Sequence, residues 1–102
     1  MIRVVAILTA KPGRRADLIA LIRELLPKVQ AEKGYVEYQP VIDAEGFGSN
    51  QTKLGPDVVT VIETWADADA LKAHSTVPHM TAFRQAAKDA MAGATVHILS
   101  PV

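Results

Sequence analysis

"VVTVIETWADADALKAHSTVPHMTAF", Val58–Phe83, is the stretch on which the fold turns. Its first eight residues, Val58–Trp65, are β-branched and apolar enough to read as a strand. Alternation puts Val59, Val61, Glu63 and Trp65 on one face, and Val58, Thr60, Ile62 and Thr64 on the other. After Trp65 the pattern becomes helical. Asp67 or Asp69 can cap a short helix carrying Leu71 and His74. Pro78 suits the first position of a second helix, whose face is Met80, Phe83, Ala87 and Met91, with Gly93 ending it.

Working outward from this junction completes the order. Upstream, "YVEYQPVID" (Tyr35–Asp43) reads as a strand, with Pro40 confining it to an edge or a bulge. The joining segment Ala44–Asp57 is Gly-rich, polar and longer than a hairpin requires. Further upstream, Leu18, Leu21, Ile22, Leu25 and Val29 mark one face of a helix between Gly13 and Gly34. Pro27 predicts a kink in that helix or its early end. Ile2–Thr9 is the first strand and Thr95–Leu99 the last. The order β-α-β-β-α-β is the ferredoxin-like split βαβ unit, an α+β fold. Its second and fourth strands lie at the edges of an antiparallel sheet, which agrees with Pro40.

Composition bounds the function. The chain has 102 residues, and two domains would leave neither half a sizeable core, so residues 1–102 are expected to form one. Eleven basic residues balance eleven acidic ones, without the basic excess of a nucleic-acid binder. The absence of Cys removes disulfides, thiolate catalysis and Cys-based metal sites, and fits a reducing cytoplasm. The apolar run Val4–Leu8 is too short for a secretory signal, and no stretch has the length of a membrane span, so a cytoplasmic protein is expected. Neutral charge and small size favour self-association.

Five side chains invite chemistry. Glu63 shares a face with Trp65 and two valines, so its carboxylate must be paired, hydrogen-bonded or protonated; it reads as a general base, a ligand-orienting group or a structural acceptor. Trp65 offers a flat surface and one N–H, for stacking on a ligand or for filling the core. His74 and His79 are the groups best suited to proton transfer near neutral pH. Their separation of five, with Pro78 between, is wrong for a helical metal pair, and no third ligand accompanies them. Tyr35 and Tyr38 are expected on opposite strand faces, with Tyr38 on the side of Trp65. His97 faces away from Val96 and Ile98 and reads as structural.

"EKGYVEY", "VVTVIETWADADALKAH" and "PHMTAF" together resemble the antibiotic biosynthesis monooxygenase family, over nearly the whole chain. The matching features are a Gly before a strand Tyr, then E-x-W, A-L-x-x-H and P-H-x-x-x-F. The resemblance implies a homodimer with a dimeric α+β barrel and a pocket between sheet and helices. It also implies oxidation of quinols or anthrones by O2 with no metal, flavin or other cofactor. Carried across, it makes His74, His79 and Trp65 the catalytic candidates, with Tyr38, Glu63 and Phe83 binding a small aromatic substrate. Asn50 and Gln51 are the polar contacts expected of the long loop, as a cover for the pocket or a brace for the dimer. The haem-degrading branch of the family uses a first-strand Asn and a later helical His. Here "IRVVAILT" has no Asn and the helix near Phe83 has Arg84 but no further His, so the haem reading is set aside. Two other functions would use the same pocket: a non-catalytic, stress-related ligand-binding dimer, and a cofactor-free isomerase or decarboxylase.

Overall fold

A computed structural model of the chain describes all residues, Met1 to Val102. The elements run β1 (Ile2–Ala10), α1 (Arg15–Gln30), β2 (Tyr35–Val41), β3 (Val58–Trp65), α2 (Ala68–His74), α3 (Pro78–Ala87) and β4 (Met91–Leu99). A single 3-10 turn, Gly48–Asn50, interrupts the β2–β3 connection. The four strands form one sheet in the order β2-β3-β1-β4, antiparallel throughout. This is the ferredoxin-like arrangement, with β2 and β4 at the edges and Pro40 on an edge strand.

The helices cover one face of the sheet. Val4, Ala6 and Leu8 of β1 and Val59, Val61 and Trp65 of β3 are buried against Leu18, Ile22, Leu25 and Val29 of α1. Those four α1 residues repeat at helical spacing, and burying each contributes about 1.5–3 kcal/mol. α1 runs through Pro27 to Gln30 rather than stopping there. Two local signals act as their chemistry requires: the Asp67 side chain caps α2 by accepting from Ala70 N at 2.8 Å, and Pro78 opens α3.

Three expectations need correction. The second helix does not reach Gly93. α3 ends at Ala87, and Met91, expected on its face, begins β4 opposite Ala10. The long first strand offers a ladder of backbone groups along its edge, and Met91–Leu99 satisfies it, overriding the helical spacing. Tyr35 and Tyr38 do not lie on opposite faces. Tyr35 pairs with Trp65 and Tyr38 with Glu63, because the register shifts between Tyr35 and Glu37. That bulge adds one residue to β2, which returns both tyrosines to the helix-covered face.

The loop over residues 44–57 does not cover the space between sheet and helices. It folds back toward the start of α1, where the Asp43 carboxylate accepts from Leu54 N and Gly55 N at 3.0 and 2.9 Å. These two backbone donors hold the Asp43 carboxyl below the usual carboxylate range. Arg15 reaches the carbonyls of Gly55 and Val58 from α1, and Gly13 N donates to Asp57. No helix is long and apolar enough to cross a membrane.

Candidate functional site

Between the sheet and helices α2 and α3 lies a cavity of about 470 Å³. Fourteen of its nineteen lining residues are hydrophobic, so it suits an apolar or aromatic ligand. The sheet supplies Val4, Ala6 and Val61, and α3 supplies Met80 and Phe83. Val96 and Ile98 of β4 also line it yet remain 57% and 62% exposed, so the cavity is open along that edge.

Polar groups converge on this apolar space from three elements. Tyr38 comes from β2, Glu63 from β3 and His74 from the last turn of α2, and all three line the cavity and are buried. The Trp65 indole donates to Glu63 Oε1 at 2.9 Å. His74 Nε2 stands 4.0 Å from the same oxygen, too far for a direct hydrogen bond. Two atoms at that separation can both be reached by one bridging hydroxyl.

Electrostatics sharpen the picture. Burial pushes the Glu63 carboxyl above its ordinary range; the Trp65 N–H and nearby His74 pull it partly back, and Glu32 pushes it up again. Burial, aided by Glu63 and Glu32, also pushes the Tyr38 phenol up, so Tyr38 stays a neutral donor at physiological pH. His74 is wedged between aromatic rings. Its centroid is 4.5 Å from that of Trp65 and 5.7 Å from that of Tyr38. Tyr35 meets Trp65 edge-on at 6.3 Å.

One residue of this site went unnoticed in the sequence. Glu32 lies in the turn after α1 and accepts from His74 Nδ1 at 2.9 Å and from His79 Nε2 at 2.8 Å. Its side chain is 9% exposed, and those of His74 and His79 are 6% and 20%. The two histidines are thus joined through a shared carboxylate.

The remaining sequence candidates fall in different places. Trp65 is fully buried and does not line the cavity, so it is not the stacking wall expected; it backs His74 and holds Glu63. His79 does not line the cavity either. It faces a smaller outer groove of about 150 Å³ with Leu21, Glu24 and Lys28 of α1. Phe83 lines both spaces. Asn50 is exposed in its turn and lines neither, and Gln51 has a buried, unpartnered Oε1. His97 is exposed on the helix-free face. No cluster of three or more His, Cys, Asp or Glu side chains is arranged to hold a metal ion.

The family model for antibiotic biosynthesis monooxygenase matches residues 1–86, which include every strand and helix that builds this cavity except β4. The chain belongs to that family. Among its relatives, the Escherichia coli K12 protein named "Probable quinol monooxygenase YgiN" is 31% identical over 103 residues, 99% of this chain and 98% of the relative. A crystal structure of an antibiotic biosynthesis monooxygenase superposes with a TM-score of 0.80 at 25% identity, covering 100% of this chain and 99% of the other. The Pseudomonas aeruginosa protein PA3566 superposes at 0.81 with 23% identity, over 99% and 93% of the two chains, which speaks for the fold alone. Membership makes a monooxygenase-like function the frame in which the cavity is read.

Proposed function

We propose that the chain is a cofactor-independent monooxygenase that oxidises a quinol- or anthrone-like aromatic with O2, as the name of its Escherichia coli relative suggests. The observation that carries the proposal is His74. Its Nδ1 is tied to Glu32, leaving Nε2 toward Glu63 in the wall of an apolar cavity. An imidazole held this way is a proton acceptor where an aromatic hydroxyl would sit.

The chemistry then balances without an added reductant. His74 Nε2 takes the phenolic proton, and the electron-rich anion passes one electron to O2. The resulting radical pair joins into a carbon-bound peroxide, whose O–O bond breaks as water leaves. For an anthrone, the ring CH2 becomes C=O; for a quinol, a ring C–H gains one oxygen as the quinol becomes the quinone. Either way the substrate supplies every electron, and one oxygen atom ends in water. Tyr38, as a neutral O–H, and Glu63, as an acceptor or a protonated carboxyl, orient the substrate oxygens. The apolar lining holds the ring and limits the water that would intercept the peroxide.

We further propose a homodimer as the working unit. Support comes from apolar side chains left on the surface of one chain: Val41, Ile42, Phe47, Leu54 and Leu99 are 38–59% exposed. The unpaired outer edge of β4 adds to it.

Comparing aerobic and anaerobic incubation with hydroquinones and anthrones tests the reading. Product carrying one atom from labelled O2, formed only aerobically, is the expected result. Substrate converted equally well without O2 would identify an isomerase or decarboxylase, and tight binding without conversion a ligand carrier.

A further inference from the structure

Glu32 lines neither the main cavity nor the outer groove; it sits between them. His74 meets it from the cavity side and His79 from the groove side, and no other side chain hydrogen-bonds to either imidazole. A carboxylate has lone pairs and no hydrogen, so both nitrogens that meet it carry one. His74 is thereby fixed as the Nδ1–H tautomer and His79 as the Nε2–H tautomer. In the neutral rings, the free lone pairs are on Nε2 of His74, on the cavity side, and on Nδ1 of His79.

We propose that Glu32 is a positioning residue for His74, and that His79 is the outer clamp on Glu32 rather than a second base at the cavity. The proposal rests on the reading that His74 accepts the substrate proton. A buried carboxylate with a single N–H partner would keep unsatisfied lone pairs and could rotate. His74 Nδ1 faces both oxygens, at 2.9 Å from Oε2 and 3.1 Å from Oε1, and the second N–H, from His79, meets Oε2 at 2.8 Å and so holds the carboxylate from the other side. In its neutral form His79 cannot accept a proton from Glu32, because its Nε2 already carries a hydrogen and its lone pair is on Nδ1. Sequence separation fits this division of labour: Glu32 follows α1, His74 ends α2 and His79 begins α3, so one carboxylate ties three helices at their ends.

Other titratable or charged groups near the pair are few. Glu63 and Tyr38 face His74, and Lys72 and Arg84 line the same cavity. Glu24 and Lys28 of α1 share the groove with His79. None of them hydrogen-bonds to either imidazole.

The test is carried out on the full-length chain labelled with ¹⁵N-histidine, as wild type, Glu32→Gln, His79→Gln and His79→Leu. The nitrogen shifts report tautomers without any turnover, and oxygen uptake with a hydroquinone reports activity. Wild type is expected to show His74 as Nδ1–H and His79 as Nε2–H. Glu32→Gln should mix the His74 tautomers and lower kcat by about ten-fold or more, the low end of general-base effects, with KM changed much less. His79→Gln, which keeps an N–H donor, should retain several-fold more kcat than His79→Leu.

An unchanged His74 tautomer in Glu32→Gln, or equal loss in the two His79 variants, overturns the proposal. The second result would mean that His79 itself carries a proton. If Glu32→Gln does not fold, the His79 pair decides alone. Tautomers as expected in a wild type that consumes no O2 would leave the positioning role standing and remove the monooxygenase reading.

Discussion

Glu63 shows how a single buried residue can carry a measurable signature. Its carboxyl is pushed above the ordinary range by burial, so the folded chain holds a proton that the unfolded chain releases. Below the ordinary carboxylate range, about pH 4, both states are protonated and the residue has no effect on stability. As pH rises through that range only the unfolded state ionises, so stability falls until the folded value is passed. Wild type should therefore lose stability relative to Glu63→Gln above about pH 4, with a slope of at most about 1.4 kcal/mol per pH unit. Denaturant titrations of both proteins between pH 4 and 8 check this, and parallel curves would refute it. At this scale the sequence was partly legible. Alternation alone placed Glu63 on the buried face, and His74 could be picked out by type and by its place on the short helix. Glu32 could not, because its partners lie 42 and 47 residues away and nothing in its neighbourhood distinguishes it from a surface acid. Trp65 was legible as important, but period-two reasoning gives a face and not what covers it, so stacking on a ligand and filling the core stayed open until the fold showed it buried.

Secondary-structure elements were read more easily than the irregularities between them. Hydrophobic period, the Asp67 cap and Pro78 located β3, α2 and α3, and the strand order followed. The β2 bulge left no sequence mark, and it moved Tyr35 onto the face of Tyr38. The start of β4 was hidden for a related reason: pairing with β1, a non-local effect, decides it. Gly34 is an element boundary that the sequence did announce. It follows α1 at φ +83°, and a Cβ there would collide with Ala70 Cβ at the start of α2. Gly34→Ala therefore combines left-handed strain with a clash, and should cost about 1–3 kcal/mol. Thermal unfolding measures it. Because Gly34 and Glu32 share one turn, the same variant should also lower turnover. A variant as stable as wild type would show that the turn relaxes freely.

For the whole molecule, the cavity stays open at β4, where Val96 and Ile98 are more than half exposed. A second copy that covered these residues would complete the apolar wall. Light scattering is expected to give twice the chain mass of 11.0 kDa at micromolar concentration, and a strict monomer would contradict the dimer. The family and its fold were legible because they depend on element order and a few spaced motifs. The site's inner wiring depends on three helix ends meeting, which only the folded chain displays. In the proposed mechanism His74, held by Glu32, makes this cavity an oxygenation site. Its most direct test is O2 uptake by chelator-treated protein with hydroquinones and anthrones, wild type beside His74→Ala. Uptake that survives chelation and falls by about a hundred-fold in the variant is the predicted result. Uptake equal in the two proteins, or none above the uncatalysed background, would contradict the account.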